Sequence, residues 1–448
     1  MLPVTDRSRY LDGIGFCQMY RYLKYHAGPQ GLGLSPAVPA KAPTIGLAYH
    51  DALARCIKHL YAVHAEREQP TQWHGFLIEN TSKFRALIWQ ALVLHNRCPS
   101  APDWVVLDAE AQALVKAMAW GWLRTVAFQV LRDYELVKIE GEELLALGCT
   151  CAGASMANNT RRETGKSVHQ ADCQATILQS RPDLLLRNRK TKHLEIHDHK
   201  TESTIGDRDK YIRSYQDDVQ FTLGASAVEA RMGERVTHYV VQAVVKGQDK
   251  ARYVKETKKF EGPSMIQSDL LYGSSTSAVG HPILAPVGKW YEKLPTWKPE
   301  VVERYGWEGK SGLQPMEWWV LEQLPQSVLN EMYLWVGPYE VPRWMAAEAL
   351  RDIEAFEREW QGKLWDLWQT VGEAMDGPAP VEDAWMEITK LFPRAWQNCQ
   401  SRFGAPCEFY GICHGQVLLV DAPRIYKPRE PHHEYERQGF AEAAKAQA

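Results

Sequence analysis

An α/β fold is expected from the order in which apolar periodicities follow one another along the chain. From Thr44 to about residue 132 apolar residues recur at helical spacing, as in Leu47, Ala48, Leu53, Ile57, Leu60 and Tyr61. Breaks fall at Pro70 and between Pro99 and Pro102. From Tyr134 the period shortens: ELVKIEGEELLAL, ATILQSRPDLLLR and KHLEIHDHK each read as a strand bounded by polar residues. A helical stretch from about Asp209 to Met232 and a buried strand, THYVVQAVVKG, complete the order helices, three strands, helix, strand.

Around this core the chain divides by composition. Residues 1–43 form an N-terminal segment carrying Cys17, residues 44–133 a helical region and residues 134–262 the α/β core. The Gly-, Pro- and Trp-rich residues 263–343 have no clear period and are expected to form an irregular insertion. Residues 344–390 carry one long amphipathic helix, residues 391–415 a cysteine-rich segment, and residues 416–448 a charged tail expected to fray.

Composition narrows the function classes. With 45% hydrophobic and 24% charged residues among 448, the chain has the balance of a soluble globular protein. No run approaches the roughly 18 apolar residues a membrane span requires, so no membrane partner is expected. The N-terminal MLPVTDRSRYLDG has no apolar stretch of the signal-peptide kind, which points to the cytoplasm. A net charge of -3 excludes a uniformly basic surface, while the stretches Arg187 to His193 and Lys246 to Lys259 could still follow a phosphate backbone. Nine cysteines in a cytoplasmic chain are free thiols or metal ligands before they are disulfides.

The chemistry concentrates in SRPDLLLRNRKTKHLEIHDHKTES, residues 180–203. An apolar strand that finishes on Asp198-His199-Lys200 buries charge at high cost unless those groups have partners. If the segments before and after the basic loop are adjacent antiparallel strands, Asp183 and Asp198 meet at one end of the sheet. The period of two then puts Lys200 on the face of Asp198. Two carboxylates beside a lysine make a hard-oxygen site for Mg²⁺ or Mn²⁺, suited to polarising a phosphoryl oxygen and activating a water. Taken alone, the same pattern also describes a solvated strand end with a surface ion pair.

Order along the chain adds a resemblance. Gly46-Leu-Ala-Tyr-His50, Arg181-Pro-Asp183, Asp198-His-Lys200-Thr201 and Gln220-Phe-Thr-Leu-Gly224 resemble, in sequence order, the four motifs of the RecB-like branch of the PD-(D/E)xK nuclease superfamily. The resemblance implies a restriction-endonuclease-like core, a mixed sheet flanked by helices, with helical insertions. It also implies His50, Asp183 and Asp198 as metal ligands, with Lys200 and Gln220 completing the catalytic set. The departure is Gly224, where the family usually carries tyrosine.

A second constellation is Cys399, Cys407 and Cys413, interleaved with Gly and Pro that let the backbone wrap around a thiolate-held zinc or iron–sulfur cluster. In the iron–sulfur nucleases of this branch, including the AddB subunit of bacterial helicase–nucleases and the nucleases of CRISPR adaptation, a fourth cysteine lies far upstream. Cys17 with its basic-aromatic surroundings resembles that ligand and implies a 4Fe–4S staple. The spacing Cys-x7-Cys-x5-Cys is similar to a phage or prophage variant in place of the bacterial Cys-x2-Cys-x5-Cys. Cys149, Cys151, His169 and Cys173 lack paired ligand spacing and read as ordinary side chains.

These features lead to the expectation of an exonuclease acting on DNA ends or single strands in phage or prophage recombination within a bacterial host. A recombination or helicase protein is the expected partner. Arg187, Arg189, Lys190 and Lys192 are the expected DNA-binding cations. The competing expectation is a catalytically silent DNA-binding or metal-stabilised scaffold subunit of a larger complex.

Overall fold

The computed structural model describes residues 4–27, 33–37, 41–63, 70–96, 106–107, 109–148, 175–202, 207–245, 252–254, 259–261, 317, 319–323, 326–375, 381–399, 406–418 and 425–429. The chain opens with β1 (Val4–Thr5), α1 (Arg7–Leu11), a π-turn over Asp12–Phe16, α2 (Gln18–Tyr25) and β2 (Leu34–Pro36). The helical region follows as α3 (Lys41–Val63), α4 (Pro70–Glu79), α5 (Thr81–His95), α6 (Ala109–Thr125) and α7 (Ala127–Asp133). Pro70 stands at the first position of α4, where its missing N–H costs nothing.

Next come β3 (Tyr134–Ile139), β4 (Glu143–Leu147), β5 (Thr176–Ser180), β6 (Leu184–Asn188), β7 (Leu194–Glu202), α8 (Arg208–Arg213), α9 (Val219–Met232) and β8 (Val236–Val245). The short β9 (Arg252–Val254) and β10 (Lys259–Glu261) pair with each other. Further on are α10 (Gln326–Met332), β11 (Tyr333–Glu340), α11 (Arg343–Met375), α12 (Val381–Leu391), the single turn α13 (Tyr410–Cys413) and β12 (Tyr426–Pro428).

The architecture is α/β, with mixed sheets flanked by helices. A five-stranded sheet has the order β11-β8-β7-β6-β3, and only β7 and β8 run parallel in it. Parallel neighbours need a crossover, which α8 and α9 supply. Asp218 caps α9 by accepting from the Gln220 N–H at 2.8 Å, and Gly233, at φ +67°, ends it in the left-handed conformation.

The run Leu184-Leu185-Leu186 is apolar throughout because both faces of the sheet are covered. Leu184 and Leu186 pack with Ala48, Tyr49 and Leu114 in the helical layer, whereas Leu185 packs with Ile196, Phe221 and Val228 on the α9 side. Each such buried side chain contributes roughly 1.5–3 kcal/mol before entropy is counted.

Two segments read as single strands are each broken in two. Tyr134 to Leu147 divides into β3 and β4, and Thr176 to Asn188 into β5 and β6; β4 and β5 join β1 in a separate three-stranded sheet. Pro182 lacks the N–H that would carry the ladder across, and Glu140, at φ +43°, turns the partner strand away. The Glu140 N–H donates to the Asp183 carbonyl at 2.9 Å, so Asp183 sits in the corner of a bent ribbon.

The structure also differs from expectation over 326–340, the end of the supposed irregular insertion, where α10 and edge strand β11 belong to the core. The Gly337-Pro338 step hides that strand in the sequence and is tolerated because β11 pairs on one side only. The segment Asp209 to Met232, expected to be one helix, is two.

The supposedly frayed tail is partly docked, since β12 pairs with β2 and the Tyr426 hydroxyl donates to the Glu408 carbonyl at 2.6 Å. The positions of Cys149, Cys151, His169 and Cys173 lie outside the described residues. No helix among the described residues is long and apolar enough to cross a membrane.

A second core joins the two ends of the chain. Met19, Tyr22 and Leu23 of α2 pack with Trp360 of α11, Phe392, Phe409 and Cys413. Within it Arg21 and Glu357, 1% and 0% exposed, pair at 2.6 Å, and the Thr5 hydroxyl donates to the other Glu357 oxygen at 2.5 Å. The Arg21 guanidinium also lies over the Trp360 ring at 4.4 Å. Glu357→Ala would leave that guanidinium buried without a counter-charge, and chemical denaturation should show a loss of about 3 kcal/mol. A loss below about 0.5 kcal/mol would show that the pair is dispensable.

Candidate active site

Asp183 and Asp198 are brought together by strand register. β6 and β7 pair antiparallel with Leu184 opposite His197, so one step further Asp183 faces Asp198 at the end of the sheet. Lys200, two residues along β7, forms an ion pair with Asp198 Oδ2. His50 reaches the same end from α3, with Nδ1 at 3.2 Å from Asp183 Oδ1. The glycine four residues earlier explains the approach: a Cβ on Gly46 would stand 3.3 Å from Thr201 Oγ1 of β7. The His199 N–H donates to Asp183 Oδ2 at 2.6 Å, which fixes the carboxylate from the other side.

The two carboxyls are electrostatically distinct. Burial pushes Asp183 upward, but the His50 ring and the His199 N–H outweigh it and hold the group below the ordinary carboxylate range. Burial and the neighbouring Asp183 raise Asp198 to about 6, against the opposing pull of Lys200. Burial alone would lower Lys200 and His50; Asp198 in the first case and Asp183 in the second reverse the sign, and both end above their ordinary values.

Two carboxyls pushed apart in this way repel each other in a low-dielectric site, and a divalent cation between them relieves that repulsion. The donor set of two carboxylates and an imidazole fits such an ion. Asp198 and His50 must both lose a proton before they can ligate. If a divalent cation binds here, Mn²⁺ affinity should rise as pH climbs through about 6, where Asp198 ionises, and go on rising above the ordinary imidazole range as His50 gives up its proton, as calorimetric titration at several pH values would measure. A flat profile would contradict this electrostatic picture.

A cavity of about 470 Å³ opens beside Asp198 and Lys200. Gln220, the first-turn residue of α9, lines it, as does Gly224 one turn later; a Cβ there would meet Ser180 Oγ at 3.2 Å and Ile196 Cδ1 at 3.6 Å. All the sequence-predicted catalytic residues thus gather at one end of the sheet. The predicted DNA-binding loop does not join them. Arg187, Arg189, Lys190 and Lys192 lie in or beside the β6–β7 turn, at the opposite end of the hairpin. Arg187 is paired with Glu234, and Arg189 pairs with Glu135 at 3.2 Å, with Lys192 3.9 Å from the same carboxylate.

Sequence reasoning missed three contributors. Glu140, in the ribbon's corner, is raised by burial and by Asp183, with Arg181 opposing. The His199 ring is buried against Trp122, Tyr49 and His50, and burial drives its pKa down to about 3, so it stays neutral behind the site. The third contributor is a set of cations in the cavity wall from the N-terminal segment, Arg7, Arg9 and Lys24. The two-residue β1, Val4–Thr5, is too short to be read as a strand from the sequence, so nothing there reveals that it pairs with β5.

The thiols of Cys17, Cys399, Cys407 and Cys413 line one small cavity at the junction of the chain's two ends. The Ala395 N–H donates to Cys17 Sγ at 3.4 Å, and the Cys407 N–H to the Cys399 carbonyl at 2.9 Å. Burial raises Cys407 to about 11 and Cys413 to about 12, and the neighbouring thiols add to both shifts. No disulfide joins the four. Among the described residues no three His, Cys, Asp or Glu side chains are drawn in to the spacing of a metal-ligand group, here or at Asp183. At both places the donors share one cavity or strand end without that closure. The chain matches no family model and no curated protein.

Proposed function

We propose that the chain is a metal-dependent DNA nuclease of the PD-(D/E)xK type, hydrolysing phosphodiester bonds at DNA ends or in single strands. The observation that carries this reading is the register of β6 on β7, which sets Asp183 across from Asp198 with Lys200 and His50 at the same sheet end. Asp183, Asp198 and His50 would hold Mg²⁺ or Mn²⁺, which when bound supplies Lewis acidity to a phosphoryl oxygen and acidifies a water.

The protein side chains have separate tasks. His50 and the His199 N–H fix the Asp183 carboxylate from two sides, so its oxygens are preorganised. Lys200, kept protonated by Asp198, faces the cavity as a cation able to offset charge developing on the phosphoryl oxygens. This suits a positioning and charge-balancing role better than that of a base. Gln220 lines the same wall and offers amide hydrogen bonds to the strand.

The four thiols would hold a 4Fe–4S cluster, or zinc, fastening the N-terminal segment to the cysteine-rich one. Hydrolysis moves no electrons, so the role assigned to this second centre is structural.

The test is digestion of labelled linear, circular and single-stranded DNA with Mn²⁺, with and without a chelator. Chelator-sensitive cleavage of linear or single-stranded DNA is expected; intact DNA under all conditions would favour the scaffold reading. His50→Ala should cut slowly at low Mn²⁺ and recover in part at high Mn²⁺. Unchanged Mn²⁺ dependence would remove His50 from the ligand set.

A further inference from the structure

The cavity beside Asp198 carries more positive charge than one phosphodiester passing the site calls for. Six cationic side chains line it, Arg7, Arg9, Lys24, Arg181, Lys200 and Arg429, against the lining carboxylates of Asp6 and Asp198 and two carboxylates outside the lining, Asp218 at 3.3 Å from Arg7 and Asp12 at 3.1 Å from Lys24. They come from three distant parts of the sequence: the N-terminal helices, the bend before β6 with β7, and the residue after β12. Docking of the C-terminal strand therefore does more than tidy the tail, since it delivers Arg429 to the cavity wall.

A second observation points to a ligand. Gln179 of β5 lines the cavity and is 2% exposed, yet neither its amide nitrogen nor its amide oxygen has a hydrogen-bond partner among the described residues. A buried amide left this way is costly, and it asks for a partner that both donates and accepts. A nucleobase edge or a sugar hydroxyl does both, whereas a phosphate alone only accepts. Gly224, where a side chain would project over Ser180 and Ile196, keeps the space open.

We propose that this cavity is the seat of the terminal nucleotide of a DNA strand, with a terminal phosphate monoester among Arg7, Arg181 and Arg429 and the nucleoside on Gln179. The proposal rests on the nuclease reading for its substrate class and deepens it, making the enzyme one that selects phosphorylated ends. A monoester carries about one charge more than a diester at neutral pH and has three oxygens for guanidinium forks. A cluster of arginines therefore discriminates a phosphorylated end from a hydroxyl one. The volume, about 470 Å³, lies within the range of small-ligand sites and suits a nucleotide, not a duplex.

The test is binding of fluorescent single-stranded oligonucleotides, labelled internally, to the full-length protein in EDTA, so that no cleavage is needed. Four ends are compared: 5′-phosphate, 5′-hydroxyl, 3′-phosphate and 3′-hydroxyl. Phosphate at one end should tighten binding about tenfold, and which end does so identifies the strand polarity. Arg181→Gln, at an exposed position, and Arg7→Gln, at a half-exposed one, should together remove most of that preference, while Lys390→Gln on the distant α12 should leave it intact.

Equal affinity for all four ends would overturn the proposal, and so would a preference undiminished in the double variant. Failure of the nuclease reading looks different. Wild-type protein that prefers phosphorylated ends but never cuts DNA would sink that reading and keep the cavity. Protein that cuts with Mn²⁺ but binds all ends alike would do the reverse.

Discussion

On the proposed nuclease reading, Asp198→Ala is expected to eliminate Mn²⁺-dependent DNA cleavage, by at least about 10³-fold, since a metal held there would stabilise the transition state by several kcal/mol. Folding should survive. Asp198 in the native protein titrates near 6, above the ordinary carboxylate value of 3.8. A raised carboxyl is a group the native state prefers protonated, so its contribution to stability is lost as pH rises from about 4 through about 6. At neutral pH the ionised Asp198 therefore opposes folding when no metal is bound, and its removal should leave the metal-free melting temperature unchanged or higher. Lys200 loses its partner, but its side chain is 28% exposed and keeps contact with water. Cleavage that persists in the variant, or a protein that no longer folds, would contradict this account of β7.

The second large effect concerns the thiols. Cys17 and Cys399 are separated by most of the chain, so the proposed metal centre between them would close a very long loop. Extending the chain-entropy estimate for disulfides to this length gives roughly 6 kcal/mol, comparable with the whole stability of a typical domain. The second core around Trp360 and the Arg21–Glu357 pair already hold these segments together, so the measured loss should fall below that ceiling.

Cys413→Ser or Cys17→Ser in anaerobically purified protein should lose the brown colour, the iron and several degrees of melting temperature together, with nuclease activity falling as a consequence. Replacing Cys56, buried in the helical core away from these thiols, should cost only packing and leave the colour unchanged. Colourless wild-type protein containing zinc would replace the cluster with a zinc staple and leave the Asp183–Asp198 site standing. A Cys17→Ser protein with full iron would remove Cys17 from the ligand set.

How much of this was legible in the sequence follows from the range of each signal. The helices from α3 to α7, strands β7 and β8 and the long α11 were readable because local periodicity alone defines them. Asp183, Asp198 and Lys200 were readable for the same reason: a hairpin and a period of two are short-range facts. The bend at Glu140 and Pro182 was not, because apolar runs on both sides of Pro182 look continuous until two different sheets claim them. Edge strand β11 was hidden by Gly337-Pro338, a turn signal that an edge position absorbs. The cationic cavity was the least legible feature. Arg7, Arg181 and Arg429 are isolated charges in the sequence, and only the pairing of β1 with β5 and of β12 with β2 gathers them. The basic loop from Arg187 to Lys192 looked more like a DNA site because its charges are contiguous, but it lies at the far end of the hairpin from Asp198, and Arg187 and Arg189 are engaged by Glu234 and Glu135.

The claim that Asp183 and Asp198 share one divalent cation is tested most directly by Mn²⁺ binding to the purified protein, followed by electron paramagnetic resonance at neutral pH without DNA. Wild-type and Cys413→Ser proteins should bind Mn²⁺ alike, whereas Asp183→Ala and Asp198→Ala should each bind at least about tenfold more weakly. Unchanged Mn²⁺ affinity in either aspartate variant, or no binding by the wild type, would contradict the account.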